Sequence, residues 1–186
     1  MVAVVVICVG LLGIAKMQAL ALSNMNTSRQ RALAAIEAAS LASAMHSNRL
    51  YWAAATVPAT TSVVYNPMNI TSSDGTLASE ASADYTAGAA GLGACVGSSN
   101  GAAKCTPVEL AAYDLANWVN DMAQILPNPT ASIACAGNVA GVPPNCTINI
   151  QWSEKAVSMT QQAAQQQATA GTSQFERPYY FLYVEP

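Results

Sequence analysis

The apolar pattern is densest at the front of the chain. Met1 to Ala15 (MVAVVVICVGLLGIA) carries no charged residue, and between Gly13 and Arg49 there is no proline and no further glycine. An apolar run that passes into a stretch without helix breakers predicts one long helix. From Lys16 the large apolar residues thin to Leu22, Met25, Leu33, Ile36, Leu41 and Met45, spaced by three to five with one double step. That spacing predicts a stripe one helical face wide, with Asn24, Thr27, Arg31, Glu37 and Asn48 filling the remainder. This half is expected to pack along the downstream domain. Gly10 and Gly13 fall where helices packed in a membrane or a fibre favour small residues.

Beyond Pro58 the periodicity is lost. Thr60 to Asn100 is rich in Ser, Thr, Ala, Gly and Asn, which predicts a long irregular loop with one strand, Thr61 to Tyr65 (TSVVY), ended by Asn66-Pro67. Thr106-Pro107-Val108-Glu109 carries a capping residue, a proline suited to the first helical position and a glutamate at the capping-box position. A helix starts there, with Val108, Ala111, Ala112, Leu115, Trp118, Val119, Met122, Ile125 and Leu126 on its apolar face, and Pro127 and Pro129 stop it. Val108, Leu115, Trp118 and Met122 are its expected core residues. Ser132 to Cys135 is a short strand candidate, and Cys146 to Trp152 (CTINIQW) alternates apolar and polar residues as a half-buried antiparallel strand does. Met159 to Gln174 is uncharged and of low complexity, and either a connection or a loose helical turn fits it. Tyr179 to Val184 (YYFLYV) reads as a closing strand paired with the Cys146 to Trp152 strand.

These elements predict an α+β chain in two parts. Residues 1–51 form the anchor and amphipathic helix, and residues 52–186 form a head in which a small antiparallel sheet carries one additional helix. Fifteen charge-free residues span only about 22 Å as a helix, against a hydrocarbon layer of about 30 Å. The run also starts at Met1 without a basic flank, so further residues are expected ahead of it. Ala19-Leu20-Ala21 has the small-x-small form of a signal-peptide cleavage site, but Lys16 interrupts the path to it and the helical pattern continues beyond.

Charge changes this picture little. Seven basic and ten acidic side chains give a net charge of −3, too small to imply a nucleic-acid partner. Nine of the ten acids lie from Asp74 onward, so the helix is weakly basic and the head acidic. Cys8 sits in the apolar run, which leaves Cys95, Cys105, Cys135 and Cys146 as an even set beyond it. With no Cys-x-x-Cys spacing and the single histidine, His46, far upstream, disulfides are favoured over a zinc site, and an oxidising compartment follows. The local pairing among three connectivities joins Cys95 to Cys105 and Cys135 to Cys146. Asn26, Asn69 and Asn145 match the glycosylation pattern by composition alone.

Chemistry-bearing motifs are missing from the sequence. There is no nucleophile elbow, phosphate-binding glycine loop or histidine-carboxylate constellation, and neither a cofactor nor a metal is expected. Asp114 and Asp121, seven apart on one helix, share a face in the manner of ordinary solvated carboxylates. The expectation is a structural part and not an enzyme.

The order of these blocks resembles the type IV pilins, and among them the minor pilins of the PilV type, the pilus modification proteins. The likeness rests on VAVVVICVGLLGIAKMQ (Val2 to Gln18), LASAMHSNR (Leu41 to Arg49), TPVELAAYDLANWVNDMAQILP (Thr106 to Pro127), CTINIQW and YYFLYVEP. It covers most of the chain apart from the Ser/Gly-rich loop and the glutamine tract. Members of that family carry a basic leader, a cleavage-site glycine and Phe-Thr/Ser-Leu-Ile-Glu ahead of the segment aligned with Met1. The resemblance therefore implies that a leader and about half a dozen mature residues, including the docking glutamate, are missing before Met1. It further implies an inner-membrane anchor with a periplasmic head that later enters an extracellular fibre. Its partners would be other minor pilins, the major pilin, membrane lipids before assembly and a tip adhesin. A minor pseudopilin of type II secretion and a membrane-tethered periplasmic binding domain are the competing readings.

Overall fold

A computed structural model of the chain describes residues 2–54, 60–66, 69–87, 95, 105–136, 144–155 and 175–186. Helix α1, Val2–Ser47, runs through 46 residues without interruption. It stops where Asn48 leaves helical geometry at φ −113° and ψ 52°, and a single further turn, α2 (Arg49–Trp52), follows. Asn48 is buried, and its side-chain amide is satisfied by donating to the carbonyl of Pro107 at 2.8 Å. The break in the helix is thus fixed to the start of the helix it packs against.

That helix is α4, Pro107–Ile125. Its start is the expected capping box: the Glu109 backbone N–H donates to Thr106 Oγ1, and the Thr106 N–H donates back to Glu109 Oε2 at 2.7 Å. Leu115, Trp118 and Met122 of the expected apolar face are buried, with Ala111, Ala112, Val119 and Leu126, while Val108 packs against the edge of the same cluster. Ile125 ends up partly exposed.

The sheet is antiparallel and five-stranded, in the order β2-β1-β3-β4-β7. β1 spans Thr60–Asn66, β2 Asn69–Ser72, β3 Thr130–Ala136, β4 Asn145–Gln151 and β7 Tyr179–Val184. A separate two-stranded ribbon joins β5 (Glu154–Lys155) to β6 (Phe175–Glu176). The expected pairing of the closing strand is present: Ile148 faces Leu182 and Ile150 faces Tyr180 across β4 and β7. Alternation then decides what each face carries. Ala131, Ile133, Cys135, Cys146, Ile148, Ile150 and Val184 turn inward to the helices and are buried. Cys135 lies directly opposite Cys146 and is bonded to it, and Cys95 is bonded to Cys105.

The architecture is the α+β one expected, a long N-terminal helix against a small antiparallel sheet, with one substantial correction. The stretch read as a loop with a single strand holds a second strand, β2, and a 13-residue helix, α3 (Gly75–Ala87). The head therefore has two substantial helices besides α1, where one was expected. Asp74 makes α3 possible: its Oδ1 accepts from the backbone N–H of Thr76 and Leu77, and its carbonyl accepts from Ala78. Leu77 and Ala81, one turn apart, are fully buried, and Tyr85 packs at the edge of the core. A face this sparse in large side chains suffices because it lies on alanine-rich α4 and on Ile70 of β2. The glutamine tract from Met159 to Gln174 lies outside the described residues.

Candidate functional site

Helix α1 has two surfaces with different fates. Ala34, Ala38, Leu41 and Met45, spaced four, three and four, are buried against α4 and the sheet, with Leu33 and Ala42 at the margin. Two alanines thus form half of the docking face. Their smallness allows the helices to approach closely, and the large-residue stripe did not include them. Ile36 lies elsewhere: five residues before Leu41, it sits about 140° round the helix from it, and it is 61% exposed. Leu22 and Met25 are likewise exposed.

Polar contacts involving α1, Asn48 and α2 mark the seam with the head. Trp118 of α4 donates its indole N–H to the Glu37 carbonyl at 2.9 Å. Arg31 reaches Glu154 of β5 with both arms, Nε to Oε1 at 3.2 Å and Nη2 to Oε2 at 3.0 Å. Glu154 is buried and also accepts from the indole N–H of Trp152 at 3.0 Å, whereas the Arg31 side chain is 60% exposed. At the far end, the Tyr51 hydroxyl donates to Asp74 Oδ2 at 2.8 Å, so the residue that caps α3 is also tied to α2. Burial and that carboxylate push the Tyr51 hydroxyl well above the usual phenol range, which keeps it a donor.

From Val2 to Ala19 every α1 residue whose burial is described is exposed. A Cβ added at Gly10 or Gly13 would touch nothing, and Cys8 is a free, exposed thiol. Val2, Val4, Val6, Ile7, Val9, Leu11, Leu12 and Ile14 are all exposed. The helix is long and apolar enough to cross a membrane by length and composition, and none of its most apolar window is covered by the head. The run of about 22 Å covers only the residues ahead of the first charge. The helix does not end at Ala15 but continues through Lys16 and Leu22, and Val2 to Leu22 covers about 31 Å at the helical rise. Lys16, near one end of that span, has the long stem needed to carry its charge to an interface.

No group of His, Cys, Asp and Glu able to hold a metal occurs among the described residues. His46 is exposed at the end of α1. The two carboxylates of α4 part ways: Asp121 is exposed, while Asp114 is half-buried and burial holds its carboxyl above the usual range. Glu37 on α1 is raised as well, first by burial and then by the charge of Asp121.

Both effects yield checkable outcomes. Removing the exposed cation strands a buried carboxylate, whereas removing the carboxylate frees an arginine that water can solvate. Arg31→Met should therefore cost about 1–3 kcal/mol in urea denaturation of the micelle-held chain. Glu154→Gln should cost less, and the double variant should recover part of the loss. The reverse order would contradict the seam. For Asp114 the folded-state pKa is raised, so its contribution to stability is complete below the ordinary carboxylate pKa and is lost as pH rises through the raised value. Asp114→Asn removes that loss. Its melting temperature should exceed the parent's at neutral pH and converge with it in acid; a deficit at neutral pH would refute the assignment. Comparisons with family models, with curated proteins and with solved structures found no match for this chain.

Proposed function

We propose that this chain is a minor pilin of a type IV pilus: a subunit held in the inner membrane by the front of α1, with its head in the periplasm, that later joins the fibre. The observation that supports this most is the division of α1 into a docked half and an uncovered apolar half within one continuous helix. Such a helix can exchange lipid for neighbouring helices without refolding its head, because the head's own share of α1 is already buried. Gly10 and Gly13 leave room for those neighbours to approach closely.

The disulfide-tied head is consistent with residence in an oxidising compartment. Partners on this reading are the major pilin, other minor pilins and an adhesin at the tip, with assembly priming as the role. That role requires shape and apolar contact, not catalysis. Removing Met1 to Ala15 in the native bacterium should leave a soluble, folded head and abolish incorporation into sheared pili, with fewer pili assembled. Normal piliation with the truncated chain present in the fibre would refute the proposal.

A further inference from the structure

Strand β7 closes one edge of the sheet. The phase of its pairing can be read from one bond: the Trp152 N–H donates to the Pro178 carbonyl, in line with the Ile150 to Tyr180 and Ile148 to Leu182 register. In an antiparallel ladder alternate residues direct their N–H and C=O to the same neighbour. Tyr180, Leu182 and Val184 therefore use their backbone groups on β4. Those of Tyr179, Phe181 and Tyr183 face the edge that no other described strand covers.

The same three residues carry an apolar surface. Their side chains stand on the outer face at 62%, 50% and 71% exposure. Their rings form a ladder, with centroids 6.2 Å apart from Tyr179 to Phe181 and 5.7 Å apart from Phe181 to Tyr183. β7 itself contains no charged residue. Edge strands are commonly blunted by an internal lysine or a bulge, and neither device occurs in its register. Arg177 and Glu185 flank the ladder at opposite ends, both exposed and two residues beyond it on the same alternation. Arg177 Nη2 also donates to the Asn128 carbonyl at 3.5 Å and to Thr130 Oγ1 at 3.3 Å, so an incoming anion competes with these two neutral acceptors.

We infer that β7 is a docking edge for an extended segment of a partner protein, which adds to the sheet as a sixth, antiparallel strand. The inference does not rest on the reading of the chain as a pilus subunit. Three residues with unspent backbone groups supply the ladder, and the aromatic row receives alternate apolar side chains of the incoming strand. The flanking charges set its polarity: the partner brings a cation opposite Glu185 and an anion opposite Arg177. In the antiparallel sense, the partner strand therefore reads base first and acid last, with aromatic or branched residues between. The segment from Arg177 to Glu185 has that order itself. Laid antiparallel and centred on Phe181, a copy of it meets both charges, which makes it a ready probe.

The test uses the full chain in detergent micelles and two fluorescein-labelled synthetic peptides. One has the sequence of Arg177 to Glu185, and the other has its terminal charges exchanged. The first should bind saturably by anisotropy, and the exchanged peptide should bind about fivefold more weakly, as two exposed ion pairs allow. On binding, amide exchange at Tyr179, Phe181 and Tyr183 should slow while Tyr180 and Leu182 stay unchanged. Phe181→Pro removes an edge donor without touching the β4 ladder, a change edge strands tolerate, and should reduce binding at least about tenfold. Should that variant misfold, Tyr179→Lys and Tyr183→Lys place edge charges and should weaken binding likewise. No binding, equal binding of both peptides, or new protection at the even-numbered amides of β7 would overturn the inference. Binding lost with the aromatic rings but without any change in those amides would also overturn it, since it would identify a ligand that stacks on the face instead of a strand.

Discussion

Everything in this molecule depends on how α1 divides its surface. Ala34, Ala38, Leu41 and Met45 are buried beneath α4 and the sheet, so the second half of the helix is a core element of the head. The first half is continuous with it and more apolar, and among the described residues none of its most apolar stretch is buried. Water is a poor neighbour for so much exposed apolar surface, at roughly 25 cal/mol per Å². A bilayer, or the flanks of similar helices, removes that cost. The uncovered apolar surface is thus a consequence of where the docking face ends.

The seam holds the division in place. Asn48 terminates the helix and satisfies its own buried amide on Pro107, and Trp118 fixes the level of Glu37. Among the described residues, Arg31 and Glu154 form the polar contact nearest the uncovered half of the helix. Because the buried partner is the carboxylate and the exposed one the guanidinium, the bridge favours a definite register of α1 on the head more than it adds stability. A helix whose position on the head is fixed presents its free half in a fixed direction.

Much of this was legible in the sequence, and what was not has physical reasons. The capping box at Thr106 and the alternation of β4 and β7 are local, high-contrast signals, and their elements stand as expected. Helix α3 escaped notice because its apolar face has only Leu77, Ala81 and Tyr85, and because Asp74 caps it without a glutamate three residues on. The stripe on α1 was drawn through large side chains. It included Ile36, which faces away, and omitted Ala34 and Ala38, whose contribution is close approach and not bulk. The open edge of β7 is invisible in sequence altogether, since it depends on strand order and hydrogen-bond phase.

Cys8 offers the most direct test, being a free, exposed thiol in the middle of the uncovered apolar run. A nitroxide attached there, in the full chain reconstituted into lipid bilayers, reports its surroundings through relaxation by oxygen and by a water-soluble nickel complex. The account predicts high accessibility to oxygen and low accessibility to nickel, as for a site within hydrocarbon. Free access of nickel to Cys8, with the head folded, would contradict it.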